Sequence, residues 1–251
     1  MLPFLRLLRK DLESIRWPLG IISGLSAGLI VFLRFKLAGG WHEDLVGILM
    51  AAPLMFLPFW LFWQSFQSLR TEWREDTVYT LLCLPVPGWQ LTLSKLCTIA
   101  AEYTVYLGVV AAANALFNPF AGEILASFPA SWLLRNGFLF YLIGLSQVVS
   151  SVIFIQLAFV VSKMVGRLQG LVSLWTFFLA FWVTGRMGGL LEPLFRWIPA
   201  VPLHRLFRLD LIGRPIVSYW DAAPKISQGL IIFGFFWLTG YCLENYVEVN
   251  G

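Results

Sequence analysis

The chain has 251 residues, of which 59% are hydrophobic and 13% charged, whereas soluble domains carry about 25% charged residues. So few charges cannot cover a soluble core of this size, and the apolar residues fall in long runs, which excludes an ordinary water-soluble domain. The net charge of +4 comes without a dense basic stripe interleaved with aromatics, which argues against nucleic acid as a partner, and it suits Lys and Arg gathered near anionic headgroups.

Residues 1–16 form the first predicted element. Leu5, Leu8, Leu12 and Ile15 recur at helical spacing while Arg6, Arg9, Lys10, Glu13 and Arg16 take other positions, the pattern of an amphipathic helix lying on a membrane surface. This segment is too charged for the apolar core of a signal peptide. Residues 17–251 are then expected to form an all-α domain of six transmembrane helices, since about 17 to 25 apolar residues cross the hydrocarbon. The six runs are Trp17 to Leu33, Leu45 to Phe66, Leu91 to Phe117, Gly137 to Val161, Leu168 to Val183 and Ile226 to Cys242. Four basic residues in the surface helix favour a cytoplasmic N-terminus, and an even number of spans returns the C-terminus to the same side.

In the first span, Gly20, Gly24 and Gly28 form a small-residue stripe that permits close approach of another helix, within the subunit or between subunits. Between the second and third spans lies a loop, about 67–95, that is charged at its start, amphipathic in its middle and Pro-rich near its end. Arg70, Trp73 and Arg74 share one helical side, with Glu72 and Asp76 opposite. Unpaired charges followed by Leu81, Leu82, Leu84 and Val86 offer polar and apolar anchors to a cytosolic partner, or else simply meet water and headgroups. In the third span Lys95, Thr98, Glu102 and Tyr106 lie on one face. Glu102 and Tyr106 are the candidate intramembrane polar site, because a carboxylate in lipid must face a partner, a water-filled cavity or the headgroups.

The segment from about 184 to 225 mixes apolar residues with Pro, Arg and aromatics. It suits short re-entrant helices shielded by protein, or a surface amphipathic hairpin anchored by Trp197 and Trp220. Phosphate-binding G-x-x-x-x-G-K-[ST] and H-E-x-x-H patterns do not occur, and His42 and His204 are the two histidines. Cys83, Cys97 and Cys242 form no C-x-x-C pair, so no metal cluster or disulfide framework is expected. No catalytic residue and no cofactor of the chain's own is expected.

The 67–95 loop resembles the loop after the second span in ABC transporter permeases of the type-2 export class. The matching features are Glu72, the helix beginning at Thr77, Leu81 and Leu82, the Leu84, Pro85 and Val86 turn, and Lys95 opening the third span. Gly88 and Trp89 depart from it, standing where many relatives carry a basic residue. The resemblance implies a permease subunit of the plasma (inner) membrane, without its own ATPase site, acting in export. ATP and Mg would sit on a separate ABC-type ATPase subunit docked on Arg70, Glu72, Trp73, Arg74, Leu84, Pro85, Val86 and Trp89. It also implies a second permease, identical or different, as partner. A membrane-embedded enzyme and a noncatalytic scaffold are the alternative readings; the first lacks an evident catalytic companion for Glu102.

Overall fold

The computed structural model describes residues 2–74, 87–127, 129–165, 168–199, 201–202, 210–211, 214–215, 219–220 and 222–246, excepting the side chains of 2, 3, 72, 123–125 and 201–220. Its helices are α1 (Leu2–Ala38), α2 (Glu43–Met50), α3 (Ala52–Arg74), α4 (Gly88–Phe117), α5 (Ala121–Ser127), α6 (Ala130–Val165), α7 (Gln169–Leu191) and α8 (Ala222–Asn245). Six stretches among the described residues are long and apolar enough to cross a membrane: Phe4–Ala38, Glu43–Thr71, Gly88–Phe117, Ala130–Val165, Gln169–Phe195 and Ala222–Asn245. Five contain the runs read from the sequence whole, and Gln169–Phe195 contains all of its run but Leu168, which caps the helix, so the protein is an all-α membrane protein. Their outer faces carry large apolar side chains, such as Trp175, Phe178, Phe181 and Trp182 on α7, which suit lipid rather than water.

The amphipathic segment and the first span are one continuous helix, α1, with Pro18 inside it. Pro18 lacks the N–H that would bond the Ser14 carbonyl. Leu7, Asp11 and Ile15 are buried, one helical turn apart, while Leu5 and Leu12 of the Leu5, Leu8, Leu12, Ile15 series are exposed, as suits leucines that face lipid.

The second span is broken at Ala51 between α2 and α3. Pro53 explains the break, because it offers no N–H and its ring crowds the preceding turn. Leu54 N–H turns to the Ala51 carbonyl at 3.0 Å, and the Met50 carbonyl instead accepts from the Asn114 side chain at 3.4 Å.

After α7 come a 3-10 turn, Glu192–Phe195, and four short strands: β1 (Val201–Pro202), β2 (Asp210–Leu211), β3 (Arg214–Pro215) and β4 (Tyr219–Trp220). β1 pairs with β4 and β2 with β3, both antiparallel, as two separate two-stranded sheets. Pro202 on β1 and Pro215 on β3 have no N–H to give a helix.

The chain divides into two compact units, Met1–Val86 with Leu93–Val152, and Pro87–Thr92 with Ile153–Gly251. In the first, a core of Ile30, Leu33, Met50, Leu57, Ile99 and Tyr106 joins α1, α2, α3 and α4. In the second, Phe154 packs edge-on against Phe177 and Phe235, at 6.3 and 6.1 Å between ring centroids, joining α6, α7 and α8. The start of α4 lies directly on α8 there: a Cβ built on Gly240 would fall 2.9 Å from the Trp89 backbone N and Cα, and one on Gly88 would strike the Gly240 carbonyl.

These contacts set opposite expectations for two glycines. Gly240→Ala forces backbone apart and is expected to cost about 1–3 kcal/mol, while Gly24→Ala meets nothing within 4 Å and is expected to stay within about 0.5 kcal/mol of the parent. Thermal unfolding of the detergent-solubilised variants checks both; an unshifted midpoint for Gly240→Ala contradicts the packing.

Candidate intramembrane polar site

The polar face of α4 carries a series of buried hydrogen bonds to α1 and the second span. Near its N-terminal end, Ser94 donates its hydroxyl to Asp11 Oδ2, and Lys95 Nζ lies 3.8 Å from Asp11 Oδ1. Asp11 and Ser94 are buried. An isolated carboxylate there would be costly, and the ammonium and hydroxyl together compensate its charge and lone pairs.

One turn on, Thr98 Oγ1 bonds back to the Ser94 carbonyl at 2.9 Å. Next comes Glu102, fully buried, whose Oε1 accepts from the Trp60 indole Nε1 at 2.7 Å. Its second oxygen, Oε2, is buried without a hydrogen-bond partner among the described residues, as is Ser23 Oγ on α1.

Tyr106, also fully buried, donates its hydroxyl to the Pro53 carbonyl at 3.1 Å and lies 2.8 Å from Ser26 Oγ. A phenol has one proton, so in this arrangement Ser26 donates and Tyr106 accepts. Asn114 Nδ2 continues the series to the Met50 and Val110 carbonyls. Ascending α4, the partners ascend α1 (Asp11, then Ser26) and descend the second span (Trp60, Pro53, Met50). α1 and α4 therefore run parallel in this unit, with α3 antiparallel to both.

The stripe read from the sequence is thus a seam between three helices of one chain. Glu102 and Tyr106 lie on it and bond different partners: Glu102 bonds α3, and Tyr106 bonds α1 and α3. Sequence reasoning missed Asp11, Ser26, Trp60, Ser94 and Asn114. A signal existed for Asp11, an acid one turn from both Leu7 and Ile15, but it was hidden among seven neighbouring charged or leucine positions that follow another periodicity. Trp60 had no local signal, since one indole among the protein's 12 Trp reads as lipid-facing.

The glycine stripe sits apart from this seam. Gly20, Gly24 and Gly28 are exposed, and nothing among the described residues comes within 4 Å of a Cβ built on any of them. Packing against another helix of the same chain is therefore not what the described structure contains there.

For the 67–95 loop, Arg70 and Arg74 are exposed and Trp73 is half-buried at the end of α3, and Trp89 is partly exposed in the first turn of α4. The Glu72 side chain, Asp76, Thr77, Leu81, Leu82, Cys83, Leu84, Pro85 and Val86 lie outside the described residues, as does His204. His42 precedes α2 without a capping bond from its side chain. No group of three or more His, Cys, Asp or Glu able to hold a metal occurs among the described residues.

A family model described as ABC-2 family transporter protein matches residues 15–187. Neither a curated protein nor a solved structure matches the chain.

The ion pair at the foot of the seam has a measurable signature. Asp11→Ala leaves the Lys95 ammonium without its carboxylate and is expected to cost about 3–5 kcal/mol. Asp11→Ala with Lys95→Met removes both charges and is expected to recover most of that loss. Unfolding midpoints for the four corners of the cycle give the coupling directly; additive effects contradict the pairing.

Proposed function

Because the chain belongs to the ABC-2 transporter family, and so is a multi-pass membrane permease of the ABC type that works with an ABC ATPase component, we propose that it forms the membrane half of an ATP-driven exporter. In this reading a separate subunit hydrolyses ATP with its own Mg and docks on the 67–95 loop, and a second permease completes the transport path. The carrying observation is the family match over residues 15–187, which runs through that loop and most of the fifth span.

Local features support the division of labour. The sequence has no G-x-x-x-x-G-K-[ST] loop, the cradle that a phosphate chain needs. Arg70, Arg74 and Trp89 present two cations and an aromatic at the two ends of the loop, the residue types enriched at interface anchors. The loop also leads into α4, and the second turn of α4 holds Ser94 and Lys95 on Asp11. A displacement imposed at the loop therefore reaches α1 through bonds that cannot stretch without exposing a charge. The exposed Gly20, Gly24 and Gly28 edge offers the second permease a surface on which backbones approach closely. Glu102 pairs with an indole rather than with a second acid or base, which leaves the membrane-enzyme reading without a general acid–base pair.

In this reading the protein lies in the plasma membrane with both termini in the cytoplasm. In a background lacking Cys83, Cys97 and Cys242, an impermeant maleimide added to intact cells is expected to label Asn118→Cys and to spare Ser68→Cys. The reverse pattern overturns the orientation.

Docking on the loop has its own test. Glu72→Ala combined with Trp89→Ala is expected to insert normally and to lose copurifying ATPase, since truncating a central anchor costs on the order of 2 kcal/mol, roughly thirtyfold in affinity. Unchanged copurification and unchanged transport in the double variant would place the ATPase elsewhere.

A further inference from the structure

On the lipid-facing side of α1 and α4 lies a groove of about 680 Å³. Its walls are apolar, formed by Leu5, Leu8 and Leu12 on α1 and by Val105 and Val109 on α4. Two polar side chains line its floor, Glu102 and Ser23. They are 0% and 7% exposed, and Glu102 Oε2 and Ser23 Oγ both lack a hydrogen-bond partner among the described residues.

This combination differs from the rest of the seam. Asp11 has an ammonium and a hydroxyl on its carboxylate, and Tyr106 has both a donor and an acceptor. Glu102 has one neutral donor on one oxygen, and Lys95, the cation two turns below it, is engaged by Asp11. A carboxyl oxygen without a donor in an apolar surround is a demand for N–H or O–H, and a carboxylate adds a demand for positive charge. Apart from Glu102 and Ser23 the groove is lined by apolar surface and by three charged residues: Arg9, which bonds Glu13 at 2.8 Å, and Arg16, whose guanidinium lies 5.7 Å from the centre of the Trp17 ring. The site therefore asks for a body of hydrocarbon and a small hydrogen-bonding cation.

We propose that the α1–α4 groove is a binding site for an amphiphile bearing an ammonium group, which donates to Glu102 and Ser23 while its chain lies along the leucines and valines. The ammonium reaches Glu102 by parting the apolar side chains that cover it. Two sources supply this chemistry, a membrane lipid with a primary amine headgroup and a soluble amphipathic amine. The proposal deepens the permease reading by naming a ligand class. It rests on that reading only where the ligand is called cargo; binding itself requires neither ATP nor the ATPase.

The test uses the full chain in phosphatidylcholine nanodiscs, with binding measured above that of empty discs for tetradecylamine, tetradecanol and tetradecyl sulfate. Tetradecylamine is expected to bind saturably, and at least about tenfold more tightly than the alcohol or the sulfate. Glu102→Gln is expected to remove that preference and leave the alcohol unchanged. If Glu102→Gln fails to fold, Val105→Trp keeps the carboxyl and fills the groove, and is expected to lower binding of all three probes. Equal binding of the amine and the sulfate overturns the proposal, as does undiminished amine binding in folded Glu102→Gln. Absence of saturable binding, which a second copy seated over the groove would produce, also overturns it. Discs containing phosphatidylethanolamine separate the sources: competition with tetradecylamine assigns the site to a lipid amine, and its absence assigns it to a soluble one. Each of those results upholds the ammonium site. Because the readout is equilibrium binding, loss of this site leaves the coupling experiment on Glu72 and Trp89 untouched, and the reverse holds.

Discussion

A hydrogen-bonding group in hydrocarbon has no water to fall back on, and the first unit of this protein is organised around that constraint. Apolar contacts between helices compete with equally apolar contacts to lipid, so they discriminate poorly between one helix arrangement and another. The bonds of Asp11 to Ser94, Trp60 to Glu102, and Tyr106 to Ser26 and Pro53 have no such competitor. Individually they are worth about 0.6 kcal/mol, by averages from other membrane proteins. Together they allow one vertical register between α1, α3 and α4, because a shift of one turn would strand several polar groups at once.

The second unit is held by different means. Its core is aromatic, with Phe154 between Phe177 and Phe235, and its closest approach is backbone on backbone at Gly240 and Trp89. Gln156 supplies a side-chain bond, to the Thr92 carbonyl at 3.2 Å. Register there depends on shape more than on polar matching. That difference suits a permease, in which some helix contacts must be exact while others exchange.

The six spans were legible because length and hydrophobicity alone define them, and α4's polar stripe was legible because Lys95, Thr98, Glu102 and Tyr106 stand out against apolar neighbours. What the stripe faces was not legible. Asp11 lies 83 residues from Ser94, and Ser26 lies 80 from Tyr106, so periodicity within one helix carries no information about the pairing. The protein-facing side of residues 1–16 was not legible for a related reason. Leucines on a membrane helix can face lipid, and here the buried side is marked by an acid instead. The strand pairs Val201–Pro202 with Tyr219–Trp220 and Asp210–Leu211 with Arg214–Pro215 were hidden by aromatic and apolar composition, which helices and interfacial strands share.

The long separations along the seam also order events during synthesis. Asp11 emerges with the first span, but its partners Ser94 and Lys95 belong to the third. At about 5–20 residues per second, that gap lasts roughly 4 to 16 s. Throughout this interval the first span carries an uncompensated carboxyl group near its entry to the membrane, and Ser26 has no phenol to meet. The first helix is therefore a poor candidate for early release into bulk lipid: its polar side is better held at the insertion machinery, or at the headgroups, until α4 arrives. Glu102 meets Trp60, already made, as soon as it enters. The third span thus acts as the closing element, and the first three crossings become a single body only when it is in place.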